Sequence, residues 1–295
     1  MKGFNNYDSA QVRKQFMKNK KLLIIASFAL ALILLIAIHG YVKEMDRQER
    51  NYCVLKLSDD GSYYIVTGYE GKASNIVIPS KYKGKPVEVI GAWAFESIEF
   101  VVTSVVISDS VKIIEESAFE WMPYLTNVVI GRSVTEIGNK AFASCPALKS
   151  VTFKSQNSLK TIGDYAFFDS TITSISIPSS VTNMGRSVFA SCDFLESATI
   201  PGSIQTMGIN IFYVCSSLKS VTLAEGLPMI TTGMFEGCTQ LTKLVIPSSV
   251  TRIDRDAFVD SNLLVIYCKA NEKPDAWNDE WNSSNNEVVW GYVGD

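Results

Sequence analysis

An Ala-Phe dipeptide or a close variant returns through most of the chain, at Ala94-Phe95, Ala118-Phe119, Ala141-Phe142, Ala166-Phe167, Val188-Phe189, Ile211-Phe212, Met234-Phe235 and Ala257-Phe258. The phenylalanines are separated by 24, 23, 25, 22, 23, 23 and 23 residues. A fixed period of this size describes a stack of similar coils, each touching only its neighbours. It argues against a globule built around one catalytic pocket.

One unit reads V-T-I-P-x-S-V-T-x-I-G-x-x-A-F-x-x-C-x-x-L-x-S. Its apolar positions alternate, as Val221 with Leu223 and Leu244 with Ile246, which is the period of a short strand. Pro178, Pro201 and Pro247 follow such pairs. Proline lacks a ladder donor and fixes φ, so each predicts the end of a strand. A second extended segment, such as Val134 to Ile137, closes on a recurrent glycine: Gly91, Gly138, Gly163, Gly185 and Gly208. That recurrence predicts a corner with positive φ. The Ala-Phe-x-x-Cys stretch predicts a helical turn, and Leu148, Leu195, Leu218 and Leu241 lead into the next strand. The fold expected is mainly β with short helical turns, a right-handed solenoid of 7–8 coils. At a spacing of roughly 4.8 Å the rod is on the order of 40 Å long.

This repeat resembles the leucine-rich repeat of the BspA-like proteins, over roughly residues 75 to 268. The lead-in Asp59 to Tyr69 and the tail from Ile266-Tyr267-Cys268 through Val289-Trp290-Gly291 resemble flanks attached to such repeats. The resemblance implies surface exposure, adhesion and protein binding. Two coils depart from the pattern. Ser170 stands where cysteine is usual in a coil two residues longer than the rest. Glu115 and Met122 replace the usual glycine and cysteine in the coil from Val105.

Outside the repeat, six cations and one acid give residues 1–21 a net charge of +5. Leu22 to Ile38 is an uninterrupted run of 17 apolar or small residues, extendable through Val42. About twenty such residues span a bilayer, and the basic flank stays in the cytoplasm. The reading is a cytoplasmic tail (1–21), a transmembrane helix acting as signal anchor (22–42) and a polar stalk (43–51). A secretory signal peptide is the competing reading, but Ala37-Ile38-His39-Gly40 is a poor cleavage site. Residues 52–103 are expected to hold an N-terminal cap and the first coil, 104–268 the repeats, and 269–295 a C-terminal cap. In that last segment Trp277, Trp281 and Trp290 cover the final coil or, on a sharper reading, line a ligand site.

The whole chain carries −3, so the part beyond residue 42 carries −8. That acidic outer part argues against nucleic-acid binding, which wants a basic stripe. Four of the six cysteines (Cys145, Cys192, Cys215, Cys238) lie three residues after the repeat phenylalanine, which favours a small buried apolar ladder over disulfides. Cys53 and Cys268 flank the solenoid. The only histidine, His39, sits at the membrane edge, which removes Ser-His-Asp and Cys-His chemistry from the outer part. No phosphate-loop, dinucleotide or nucleophile-elbow pattern occurs. Paired carboxylates such as Glu115-Glu116 read as solvated turn residues. No enzyme activity, metal or cofactor is expected. Asn282-Ser283-Ser284 is a glycosylation sequon.

Two faces are candidates for a partner. If strand Val and Ile point inward, Val106, Val129, Thr152, Ser176, Thr199, Thr222 and Val245 point out, beside a second column from Ser104 to Lys243. On the loop side, Trp121, Tyr124, Phe168, Phe194 and Tyr213 interrupt small or polar positions, and aromatics are favoured at interface hot spots. The function expected is non-catalytic recognition by a single-pass plasma-membrane protein. Its repeat domain lies outside the cell and binds a protein or glycan on a host or neighbouring surface. The alternative is a structural, envelope-organising spacer without a dedicated ligand.

Overall fold

A computed structural model describes residues 53–96, 101–261 and 264–294. The expected tail, membrane segment and stalk lie outside the described residues. Among the described residues no helix is long and apolar enough to cross a membrane.

The chain enters with an antiparallel hairpin, β1 (Cys53–Leu57) and β2 (Tyr64–Tyr69). Its turn is held by Asp60, which accepts from the Ser58 and Ser62 hydroxyls. The coils then lay down two columns of parallel strands. The first column is β3 (Asn75–Val77), β6 (Ser104–Val106), β8 (Asn127–Ile130), β10 (Ser150–Phe153), β12 (Ser174–Ser176), β14 (Ser197–Ile200), β16 (Ser220–Leu223), β18 (Lys243–Ile246), β20 (Val265–Cys268) and β21 (Glu287–Val289). The second is β5 (Lys85–Ile90), β7 (Ile113–Ile114), β9 (Glu136–Ile137), β11 (Thr161–Ile162), β13 (Asn183–Met184), β15 (Thr206–Met207), β17 (Met229–Ile230) and β19 (Arg252–Ile253). A short β4 (Lys81–Tyr82) pairs antiparallel with β5. The first column has ten strands among the described residues, not the 7–8 coils expected. Eight of these coils carry the Ala-Phe marker, the first running from β3 to Ala94-Phe95; the extra turns come from β20 and β21, whose segments lack it.

Strand ends follow the prolines: β12 stops at Ser176, while β14 and β18 stop at the residue before Pro201 and Pro247. Strands of the first column alternate as their composition dictates, β10 and β21 apart. Val128 and Ile130 are buried while Asn127 is exposed; Leu244 and Ile246 are buried while Lys243 is exposed.

The phenylalanine corner is not a helix, and no helix occurs in the described residues. Around Phe119 the N–H groups of Ser117, Phe119 and Trp121 donate to Asn139, Ala141 and Ala143 of the next coil, at 2.9, 2.8 and 3.1 Å. Only the alternate N–H groups close tight turns within the coil. With every second donor leaving the coil, an i→i−4 ladder has nothing to build on.

The recurrent glycines also serve another purpose than expected. Gly138, Gly163, Gly185 and Gly208 do not have positive φ. A Cβ on each would instead sit 2.3–2.8 Å from backbone of the preceding coil. The positive φ falls two residues before the phenylalanine, on Trp93, Ser117, Lys140, Tyr165, Ser187, Asn210 and Asp256, at 52–60°.

The eight phenylalanines form one continuous column. Successive ring centroids are 4.4, 5.0, 5.4, 5.4, 5.7, 5.8 and 5.6 Å apart, with planes within 18° of parallel. Tyr69 stacks at 6.1 Å on the first ring, and Trp281 stands edge-on at 5.8 Å against the last. Trp277 packs on Trp281 and donates from Nε1 to the Val250 carbonyl at 3.2 Å. The tryptophans thus seal the apolar end of the stack.

Beside this column the cysteines make hydrogen bonds. The thiols of Cys145, Cys192, Cys215 and Cys238 donate to the phenylalanine carbonyl of the preceding coil at 3.1–3.2 Å. Ser170 and Ser261 occupy the same position and donate at 3.0 and 2.7 Å to Phe142 and Phe235. The position selects a small buried donor rather than a purely apolar group. All six cysteines are free and buried, and burial pushes the Cys145, Cys192 and Cys238 thiols up to about 12.

The strand columns, unlike the aromatic one, are interrupted. The second column breaks between β15 and β17. Pro228 stands there at the position from which Thr135, Lys160, Thr182 and Gln205 each donate to the previous coil, and it has no N–H. The first column breaks between β10 and β12, in the coil with two extra residues, and again between β16 and β18.

Candidate functional site

The two sets of exposed residues meet different fates. On the strand face, Ser176, Thr199 and Thr222 lie in one register across β12, β14 and β16. Thr152 pairs with Val129 of β8 and is parted from Ser176 by the break in the column. Thr152 and Ser176 face each other across a cleft of about 620 Å³. Thr222 lines a smaller opening of about 410 Å³ at the β16–β18 break.

On the phenylalanine corner, two of the five aromatics come together. Trp121 and Phe168 line a hollow of about 470 Å³ whose other walls are Tyr165, Lys140, Arg186 and Glu120 and whose floor is Ala143 and Ser144. The small floor residues follow from the repeat, because the intervening coil carries Ala and Ser where its neighbours carry Trp and Phe. Tyr165 meets Phe168 edge-on at 5.7 Å, and the Arg186 guanidinium lies 5.2 Å over the Tyr165 ring. Arg186 also pairs with Asp164 at 3.2 Å, which fixes its plane. One oxygen of Glu120, Oε2, is buried without a hydrogen-bond partner among the described residues.

Trp121 is 70% exposed and has φ 61°. A bulky side chain in the left-handed region is costly, and one so exposed recovers little by burial. Other coils place Ser144, Asp169 or Ser191 there. Tyr124 and Phe194 occupy equivalent places on coils further apart, 54% and 60% exposed, and Tyr213, one residue after Phe212, is 36% exposed. Tyr165, Lys140, Arg186 and Glu120 were not singled out by sequence. Aligning the coils on their phenylalanines places Lys140 and Tyr165 two before, Arg186 three before and Glu120 one after it, and side chains at these positions project together, which is the signal that finds them. Among the described residues no group of three His, Cys, Asp or Glu side chains stands ready to hold a metal.

Short coils, two columns of parallel strands and inward ladders of Leu, Ile, Val and Phe define a leucine-rich-repeat type of β-solenoid. The chain belongs to the BspA-type leucine-rich-repeat family: the BspA type leucine-rich repeat region, which comprises six copies of the repeat, matches residues 69–158 and again 153–264. No curated protein sequence matches it. Among solved structures, a leucine-rich repeat protein of T. pallidum is 24% identical, with 82% of this chain and 98% of that one covered and a TM-score of 0.55. A leucine-rich cell surface protein of Faecalibacterium prausnitzii is 20% identical, covering 82% and 93%, with a TM-score of 0.30. The pneumococcal vaccine antigen PcpA is 14% identical, covering 82% and 100%, with a TM-score of 0.36.

Proposed function

We propose that the protein is a membrane-anchored recognition module that binds a protein on another surface without catalysis. The cluster of Trp121, Tyr165, Phe168 and Arg186 across neighbouring coils carries this reading. Trp, Tyr and Arg are the residues most enriched at binding hot spots, and a stack of coils presents them with little ordering cost on association. The family membership and the solenoid support the same role. The basic tail and the apolar run Leu22–Ile38 support a single span with the solenoid outside. The winding of the coils is taken as right-handed, as parallel crossover connections are. A spacer without a ligand has no use for a 70% exposed tryptophan.

The test has two parts. Protease shaving of intact cells carrying the full chain with a C-terminal tag should release the tag by cleavage near residues 43–51. A tag protected until the membrane is opened refutes the outward orientation. Binding of the same cells to immobilised extracellular-matrix and cell-surface proteins should fall at least about tenfold in the Trp121→Ala/Phe168→Ala variant. Equal binding by both chains refutes the aromatic site.

A further inference from the structure

The cleft between β10 and β12 belongs to no part of the recognition surface just described. It opens where the repeat is longest: 25 residues separate Phe142 from Phe167, and the surplus lies in Lys154-Ser155-Gln156-Asn157. That segment forms one wall. It is held to the preceding coil, with Lys154 N–H donating to Ile130 at 3.1 Å and the Asn157 amide to Gly131 at 3.0 Å. Gln156 turns the chain with φ 57°. The opposite wall is β12 and the turn after Pro178. One backbone hydrogen bond, Thr173 to Lys149 at 3.4 Å, joins the walls at their base. Elsewhere, as between β14 and β16, neighbouring strands pair over four residues.

The lining has a consistent chemistry. Thr152, Ser155, Gln156, Ser174, Ser176 and Ser180 bring hydroxyl and amide groups to a space of about 620 Å³. Ser180 Oγ is buried and has no partner among the described residues. Val151 and Phe153, whose counterparts in β8 and β14 are fully buried, are half-exposed here and form an apolar floor. No carboxylate lines the space, and of its two lysines Lys154 is paired with Asp109 at 3.0 Å. Hydroxyls and amides that both donate and accept, above a narrow apolar strip, match a ring bearing hydroxyls on its edge and C–H groups on its face.

We propose that this cleft is a saccharide-binding site that takes one or two sugar rings of an uncharged glycan chain. The inference rests on the recognition reading only in treating the solenoid as a binding module; it uses none of the aromatic cluster.

The experiment is saturation-transfer NMR and calorimetric titration of the purified full-length chain. The probes are neutral tri- and tetrasaccharides of glucose, mannose, galactose and N-acetylglucosamine, with their uronic-acid and sialylated counterparts. At least one neutral probe is expected to bind saturably. Ser174→Tyr, which fills the cleft, and deletion of Ser155-Gln156, which restores the 23-residue interval, should each weaken it at least about tenfold. Trp121→Ala should leave it unchanged. If the deletion disturbs folding, Ser174→Tyr with an unaltered circular dichroism spectrum decides. The proposal is overturned if no neutral probe binds, if only the acidic probes bind, or if binding survives both cleft variants. A chain that binds no saccharide but still loses surface binding with Trp121 overturns the cleft and leaves the recognition reading standing.

Discussion

Replacing Phe212 by Ala removes one ring from the middle of the aromatic column. Phe212 is fully buried and lies 5.7 and 5.8 Å from the rings of Phe189 and Phe235. Truncating a buried phenylalanine costs about 3–5 kcal/mol, and the lost ring contacts fall within that figure. The position matters more than the sum. The step from the preceding coil to that of Phe212 is paired in both columns, β12 with β14 and β13 with β15. On its C-terminal side β15 and β17 are unpaired, so the step to the next coil rests on β14–β16, the rings and the corner N–H groups of Asn210, Phe212 and Val214, which donate to Thr232, Met234 and Glu236. In a chain of coils stabilised by nearest neighbours, a weakened step divides the stack. With a urea slope of about 3 kcal/mol per molar, the first transition should fall by about 1–2 M. Hydrogen exchange should show residues 229–261 and 264–294 opening before residues 101–207. A midpoint shift below about 0.3 M, or exchange rising evenly along the chain, would refute the column as the element that joins the coils.

Three further outcomes follow from the same geometry. Ser170→Ala should cost about 1–2 kcal/mol in urea unfolding because it orphans the Phe142 carbonyl, whereas Ser170→Cys should lie within about 0.5 kcal/mol of the native chain. Gly185→Ala should lower the midpoint although its φ suits any residue, because the new methyl meets Asp164 backbone at 2.4 Å; a neutral result would sink the close-approach account. The cysteines should resist a thiol reagent at pH 8 until the chain is denatured. Because burial raises Cys145, Cys192 and Cys238 from 9.0 to about 12, the protonated thiols favour the fold below pH 9, and that stability is lost as pH rises towards 12; a flat urea midpoint from pH 8.5 to 11 would count against it.

The architecture was legible because a solenoid repeats its constraints. Phe119, Phe142 and the rest recur at one interval, alternation marks the strands, and Pro178, Pro201 and Pro247 stop them. Each signal is local, so it needs no knowledge of what lies across the core. The same locality explains the errors. Ala-Phe-x-x-Cys reads as a helical turn until the destination of its N–H groups is known, and those groups go to the next coil. Glycine at Gly138 or Gly185 reads as a positive-φ corner, but the reason for it is the backbone of Glu115 or Asp164, 23 and 21 residues earlier in the chain.

What the sequence determined by itself was the period, the inward ladder and its family. Those depend on spacing and on side-chain polarity alone. Tertiary structure decided the number of turns, because β20 and β21 are made strands by the edges they cover rather than by the marker residue. It decided that cysteine and serine are equivalent beside the phenylalanine column, since a carbonyl of the preceding coil is waiting there. It also decided the sites. Thr152 and Ser176 differ from Thr199 only because two extra residues hold β10 and β12 apart. Trp121 joins Phe168 only because small residues on the coil between them leave the space empty. Stacking sets which side chains become neighbours, and a list of outward positions does not contain that information.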